Sequence, residues 1–155
     1  GRDEYESVKQ TVEKEELPAT VLPFVKKMHL AYAAADLVVC RAGAMTLAEI
    51  AVCGRPSILV PYPFAAHDHQ RVNAANLADR GAAVVIEDGE LTGERLAQEI
   101  ARLLSDRTTL SRMSANARLF ARPDAAARLA TSLVSWAEGN AGGAAVEEPA
   151  VEERN

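Results

Sequence analysis

The sequence predicts an α/β fold in which a parallel β-sheet carries helices on both of its faces. Three short, almost wholly apolar segments, residues 37–40, 57–63 and 82–87, have the composition of strands that are covered on both sides. Segments of roughly 10–15 residues with helical character separate these strands. Such alternation builds βαβ units, whose right-handed crossovers place helices on both faces of the sheet.

The segments before the first strand are more polar. Residues 3–16 carry apolar side chains at spacings of three and four, which predicts a short amphipathic helix. Residues 19–25 are rich in β-forming residues but are interrupted by Pro23. Residues 26–36, with alanine on most faces, predict a second helix that leads into the first strand.

Glycine and proline delimit the helices that follow the first strand. A helix over residues 46–53 ends at Gly54, and Pro56 prevents its continuation. A helix over residues 68–81 closes at Gly81. Three further helices are predicted over residues 92–105, 106–121 and 124–137.

The balance of 48% hydrophobic and 25% charged residues is typical of a soluble globular protein. We predict one domain over residues 1–138 and a disordered acidic tail over residues 139–155, because the tail has almost nothing to bury. The tail holds four glutamates against one arginine, so it accounts for −3 of the net charge of −5. The rest of the chain has no basic field that would attract nucleic acid or an anionic membrane unaided.

The cysteines and the chain start indicate the cellular setting. Cys40 and Cys53 lie in apolar segments, without the spacing of a metal site or a disulfide framework, and we interpret them as reduced core residues of a cytosolic protein. No apolar run approaches the length of a membrane span, and the chain does not begin with a signal-peptide pattern. Because residue 1 is glycine, we expect a piece of a longer protein.

The turn between the first strand and the helix over residues 46–53 has the features of an anion site. Ligands of open parallel sheets lie beyond the carboxyl ends of the strands, and Gly43 between two alanines would let a ligand approach the backbone closely. The first N–H groups of a helix from Thr46 can hold a phosphate. The alternative is structural, because Thr46 and Glu49 have the spacing of a capping box. No GxGxxG or GK[ST] signature identifies a nucleotide.

A second polar cluster begins the helix after the next strand. Gln70 and Asn73 are three residues apart and project from one helical face, where they could hydrogen-bond a ligand shared with the first turn. The alternative is a solvated helix start that is capped by Asp68. His67 and His69 form a His-x-His pair, but no further ligands accompany them, so no metal and no other cofactor is predicted.

Several motifs in this order resemble one known family. They are Phe-Val-x-x-Met at 24–28, Ala-Asp at 35–36, Arg-Ala-Gly-Ala-x-Thr-Leu-x-Glu at 41–49, a Gly-x-Pro to Val-Pro segment at 54–61, and Asp-His-Gln-x-x-Asn-Ala at 68–74. From about residue 21 to residue 137 the chain is similar to the donor-binding domain of the MurG family, the N-acetylglucosaminyltransferases of bacterial peptidoglycan synthesis. The resemblance implies a Rossmann-like sheet that forms the C-terminal half of a two-domain GT-B enzyme, here incomplete.

By position, the resemblance implies a binding site for UDP-N-acetylglucosamine. Glu49 would hydrogen-bond the ribose hydroxyls, and Val25 would meet the uracil through its backbone. Gln70, supported by Asn73, would contact the sugar. The turn and helix start that face the diphosphate and ribose would comprise Arg41, Gly43, Ala44, Met45, Thr46, Leu47 and Ala48.

The resemblance also implies a reaction. The 4-hydroxyl of undecaprenyl-pyrophosphoryl-MurNAc-pentapeptide would displace UDP at the anomeric carbon without a protein-held metal, while the helix dipole stabilises the leaving diphosphate. The family's acceptor domain, with its proposed catalytic histidine, and a Gly-Gly-Ser-Gln-Gly loop are absent from these residues. We therefore assign no catalytic residue and expect the 155 residues alone to be inactive. Contact with the acceptor and with the cytoplasmic face of the inner membrane would come through the missing domain.

Two alternatives stay open on the sequence. Another GT-B enzyme, such as a UDP-sugar epimerase or a transferase with a different acceptor, would have a similar donor site. A stand-alone nucleotide-binding module would bind without catalysing. What precedes residue 1 would distinguish these possibilities from a peptidoglycan transferase.

Overall fold

The computed structural model describes residues 2–65 and 68–140, and these confirm the predicted α/β architecture. The elements, in chain order, are α1 (Arg2–Lys14), α2 (Met28–Ala34), β1 (Val38–Cys40), α3 (Ala44–Cys53), β2 (Ser57–Leu59), α4 (His69–Ala78), β3 (Ala83–Val85), α5 (Gly93–Ser105), α6 (Arg107–Arg118) and α7 (Ala125–Asn140). A single turn of 3-10 helix, Asp88–Glu90, follows β3.

The three strands form one parallel sheet in the order β1-β2-β3. Val39 lies opposite Ile58, which in turn lies opposite Val84. Residues 19–25, whose composition favours a strand, join none of these ladders. Pro23 explains this in part, because proline has no N–H group to donate to a neighbouring strand.

Side chains alternate between the two faces of the sheet, and each face has its own buried core. On the first, which we call the α3 face, the buried residues are Tyr32, Ala42, Leu47, Ile50, Leu59, Ala74, Leu77, Ala82, Ala83 and Ala117. On the second, which we call the α5 face, they are Ile58, Ile86, Leu103, Leu110 and Met113. Apolar residues such as Leu59 and Ile58 are neighbours in the chain but belong to different cores, as expected of a parallel sheet covered on both sides.

Gly54 ends α3 as predicted, and the structure shows why the position needs glycine. Its φ of 59° lies in the left-handed region, and its N–H donates to the carbonyl of Ala51. A Cβ at this position would lie 2.5 Å from Nε of Arg118. Both the backbone conformation and the approach of α6 therefore favour glycine here.

The described chain divides into two compact units, the first ending at Ala121 and the second beginning at Arg122. The second unit contains α7, a helix of 16 residues, which agrees with the helix predicted over residues 124–137 and continues to Asn140. The acidic tail is predicted over residues 139–155. Gly139 and Asn140 instead belong to α7, and residues 141–155 lie outside the described residues. Within residues 2–65 and 68–140, no helix combines the length and the apolar character needed to cross a bilayer.

Candidate functional site

The turns that follow β1 and β2 lie side by side at the carboxyl edge of the sheet. Nδ2 of Asn73, on α4, donates a hydrogen bond to the carbonyl oxygen of Ala42 over 3.4 Å. Gln70, on the same helical face, accepts a hydrogen bond from the N–H of Tyr62 over 3.0 Å. The structure therefore brings together the two polar clusters that the sequence singled out, and it uses both amides to shape the turns.

Helix α3 begins two residues earlier than predicted, and this overturns the capping box. Gly43 is the N-cap residue, and no side chain caps the helix. Thr46 is consequently the third helical residue, and Glu49 lies in the second turn, too far along to bond the N-cap N–H. The reason is that Ala44 and Met45 are themselves good helix formers, so the helix can extend back to Gly43.

The early start also changes which N–H groups are open. The N–H of Leu47 makes the first intrahelical bond, to the carbonyl oxygen of Gly43 over 3.0 Å. The N–H groups of Ala44, Met45 and Thr46 precede that bond and have no intrahelical partner. Leu47, in contrast, has its N–H bonded and its side chain in the core of the α3 face, so neither group is available for the predicted ligand contact.

Glu49 receives a hydrogen bond from a neighbouring helix. The hydroxyl of Tyr32, on α2, donates to Oε2 of Glu49 over 3.0 Å. Burial, followed by the hydrogen bond to Glu49, raises the pKa of Tyr32 to about 12. The phenol therefore keeps its proton and remains a donor throughout the neutral range. Sequence reasoning missed this residue, because nothing local marks Tyr32 as a partner of a side chain 17 positions away.

A cleft of about 400 Å³ lies between α2 and α3, beside Glu49. It is lined by Met28, His29, Tyr32, Met45, Ala48, Glu49, Val52 and Cys53. Its volume is in the range of small-molecule sites, and it combines apolar walls with one carboxylate. Three residues of the predicted site, Met45, Ala48 and Glu49, therefore border one concave surface.

Arg41 is held by the ends of the neighbouring strands. Its guanidinium donates to the carbonyl oxygens of Val60 over 3.4 Å and Pro61 over 3.2 Å. It also pairs with the carboxylate of Asp88 in the turn after β3, and it lies 5.6 Å from the centre of the Tyr62 ring. This side chain, which was predicted to face the donor, thus fastens the three strand ends together. No local pattern marks Asp88 as the partner of Arg41, 47 positions away.

The remaining predicted residues differ in how the structure places them. Val25 is half-buried in the irregular segment before α2. Asp68 does not cap α4: its backbone is left-handed, with φ of 55°, and its carboxylate accepts instead from Arg71. His69 begins α4, whereas His67 lies outside the described residues. In the part of the chain that the structure describes, no three His, Cys, Asp or Glu side chains are grouped to hold a metal.

The chain matches known proteins over most of its length. The model of the glycosyltransferase family 28 C-terminal domain matches residues 1–129. The chain is 49% identical over 130 residues to the UDP-N-acetylglucosamine--N-acetylmuramyl-(pentapeptide) pyrophosphoryl-undecaprenol N-acetylglucosamine transferase of Myxococcus xanthus, a match that covers 84% of this chain and 34% of the relative. It is 51% identical over 111 residues to the transferase of the same name from Nitratidesulfovibrio vulgaris, a match that covers 72% of this chain and 30% of the relative. The chain thus spans about a third of the length of these relatives.

Solved structures share the fold. The crystal structure of Acinetobacter baumannii MurG matches with a TM-score of 0.74 and 38% identity, covering 83% of this chain and 39% of that one. The glycosyltransferase VinC in complex with dTDP matches with a TM-score of 0.59 and 25% identity, covering 71% of this chain and 27% of that one. On the residues matched and the fold they form, the chain belongs to glycosyltransferase family 28, of which it is a C-terminal domain.

Proposed function

We propose that this chain is the donor-binding part of the glycosyltransferase that transfers N-acetylglucosamine from UDP-N-acetylglucosamine to undecaprenyl-pyrophosphoryl-MurNAc-pentapeptide. The observation that carries the proposal is the placement of Glu49 at an apolar cleft, just over one helical turn from the uncapped start of α3. A nucleoside diphosphate has a flat base with apolar ring faces, then hydroxyls, then an anion, and this surface would match that order. The names of the relatives from Myxococcus xanthus and Nitratidesulfovibrio vulgaris supply the sugar and the acceptor.

In this proposal the diphosphate lies at the N–H groups of Ala44, Met45 and Thr46. Unpaired N–H groups and the helix dipole favour an anion at a helix start. The ribose hydroxyls donate to the carboxylate of Glu49, and the uracil enters the cleft towards the backbone of Val25. The complex of the related VinC with dTDP supports a nucleoside diphosphate as the ligand class.

The second turn completes the proposed donor site. Asn73 holds α4 to the Ala42 carbonyl, and Gln70 holds the start of α4 to the N–H of Tyr62, so that the side chain of Gln70 lies at the edge where the sugar would be. Arg41 fixes the strand ends on which both turns are built. These residues would act by binding and by holding the backbone in place.

The chemistry of this part would be electrostatic. As the acceptor hydroxyl attacks the anomeric carbon, it would give up its proton to a base outside the matched part of the relatives, while the bond to UDP breaks and negative charge grows on the diphosphate. Fixed N–H groups at the start of α3 would stabilise that charge without reorganising. The acceptor, and contact with the cytoplasmic face of the membrane, would be supplied by the parts of the relatives that this chain does not match.

The test is calorimetric titration of the chain with UDP-N-acetylglucosamine. We expect binding that is weakened about two- to tenfold in Glu49→Ala, because one hydrogen bond to a ligand contributes about 0.5–1.5 kcal/mol. Glu94→Ala, which removes an exposed carboxylate from α5, is the matched control and should leave binding unchanged. Equal affinities of the parent and Glu49→Ala would remove the ribose contact from the proposal.

A further inference from the structure

Tyr32 links a buried core to an exposed carboxylate. Its side chain is only 6% exposed and packs in the core of the α3 face, whereas Glu49 is exposed. The hydrogen bond of 3.0 Å between them therefore has one end fixed by packing and the other at the surface of the cleft. Such a bond restrains a side chain that would otherwise be mobile.

The restraint matters because an exposed glutamate must lose rotational freedom when it binds a ligand, and this loss reduces affinity. A hydrogen bond from a buried donor removes that freedom before the ligand arrives. Only Oε2 accepts from Tyr32, so Oε1 keeps its acceptor capacity for hydroxyl groups. Among the described residues, no other side chain hydrogen-bonds this carboxylate.

We propose that Tyr32 is a positioning residue, which holds the Glu49 carboxylate for the ribose hydroxyls of a nucleoside diphosphate and thereby sets a preference for ribonucleotides over 2′-deoxyribonucleotides. This inference rests on the function proposed above, since it places the ribose at Glu49. The polar side chains that line the cleft are those of His29, Tyr32 and Glu49, and Glu49 is the one carboxylate among them. A carboxylate is the strongest acceptor that this lining offers a sugar hydroxyl, so recognition of the hydroxyls would depend mainly on Glu49 and on the group that orients it.

The experiment measures the dissociation constants of UDP and 2′-deoxy-UDP for the parent and for Tyr32→Phe. The variant keeps the buried ring and removes only the hydroxyl. We expect UDP to bind about three- to tenfold more weakly to Tyr32→Phe, with 2′-deoxy-UDP changed less than about twofold. A role in packing alone would weaken both nucleotides equally, and that result would overturn the inference.

Two further variants sharpen the result. Tyr5→Phe, on α1, is the matched control and should change neither constant. In a Glu49→Ala background, adding Tyr32→Phe should cause no further loss of UDP affinity, because the group that it orients is gone. A further loss of threefold or more in that background would contradict a positioning role.

A measurement on the unaltered chain covers the case in which Tyr32→Phe fails to fold. With tyrosine labelled at the ζ carbon, the Tyr32 resonance should shift on addition of UDP and stay in place on addition of inorganic pyrophosphate. If UDP binds but the Tyr32 resonance moves with neither UDP nor pyrophosphate, the inference is overturned and the proposed function still stands. Absence of UDP binding to the parent would overturn both.

Discussion

The helices of this protein begin in two different ways. Thr92 caps α5 by accepting a hydrogen bond from the N–H of Arg95 over 3.1 Å, and Asp106 caps α6 by accepting from the N–H of Thr109 over 2.9 Å. In contrast, no side chain caps α3 or α4, whose starts lie at the turns after β1 and β2. The capped helices satisfy their own N–H groups, whereas the uncapped ones leave these groups to water or to a ligand.

The cores on the two faces of the sheet also differ, in the size of their buried side chains. The α5 face is built from large aliphatic residues, including Ile58, Ile86 and Leu103. The α3 face contains five alanines among its buried residues: Ala42, Ala74, Ala82, Ala83 and Ala117. Small side chains let helices and turns come close together, while large ones bury more apolar area for each residue. We infer that the α5 face contributes more stability per residue and the α3 face brings the turns of the site together.

Removal of a large side chain from the α5 face is the most severe test of this comparison. Leu103 is fully buried, with an exposed fraction of 0%. We expect Leu103→Ala to lower the free energy of unfolding by about 2–5 kcal/mol, because a cavity replaces a packed side chain. Denaturant unfolding measures this, and UDP binding by the remaining folded protein should be unchanged.

The neighbouring Leu104 provides the control, since its side chain is 45% exposed. Leu104→Ala should cost much less than Leu103→Ala. Similar losses for the two variants would show that the α5 face does not have the stabilising role that its packing indicates.

The difference between capped and uncapped helices predicts a smaller effect. Thr92→Ala removes a hydrogen bond to a helical N–H and should lower the free energy of unfolding by about 1 kcal/mol. Thr46→Ala should change it by less than about 0.5 kcal/mol, because Thr46 is not the cap of α3. Thermal or denaturant unfolding of both variants measures the contrast. A larger loss of stability for Thr46→Ala would indicate that Thr46 caps α3, contrary to the structure.

The effect of pH on Tyr32 is expected to be about as small as that of Thr92→Ala. Its pKa is raised to about 12 in the folded protein, so the unfolded chain loses the proton first as the pH rises above 10. The stabilisation is therefore complete below pH 10 and is lost as the pH rises through about 12. Between pH 10 and 11 the parent should lose about 1 kcal/mol more stability than Tyr32→Phe. Parallel pH profiles for the two proteins would contradict the environment described for this phenol.

The success of the sequence prediction depended on how local each signal was. The predictions of the three strands and of the end of α3 at Gly54 succeeded, because they rest on apolar runs and on backbone preferences that a few residues determine. The prediction of the start of α3 failed because Thr46 and Gly43 are both acceptable N-cap residues, and Ala44 and Met45 between them are good helix formers. Residues 19–25, which are β-rich but interrupted by Pro23, form no strand, because such composition forms one only where a neighbouring strand is available.

The residues of the candidate site were likewise predicted only where their signals are local. The sequence singled out Glu49, Gln70 and Asn73 through their motifs and their spacing. It did not indicate that Arg41 would be held by Asp88, or that Tyr32 would bond Glu49. Each of those pairs joins segments that are far apart in the chain.

By itself, the sequence determined the alternation of strands and helices, the glycine that ends α3 and the polar residues that follow β1 and β2. Those features follow from the conformational preferences of single residues and short repeats. The tertiary structure alone decided which side chains fasten Arg41 and Glu49. Hydrogen bonds between distant residues depend on the packing of whole elements, and no local pattern in the chain specifies them.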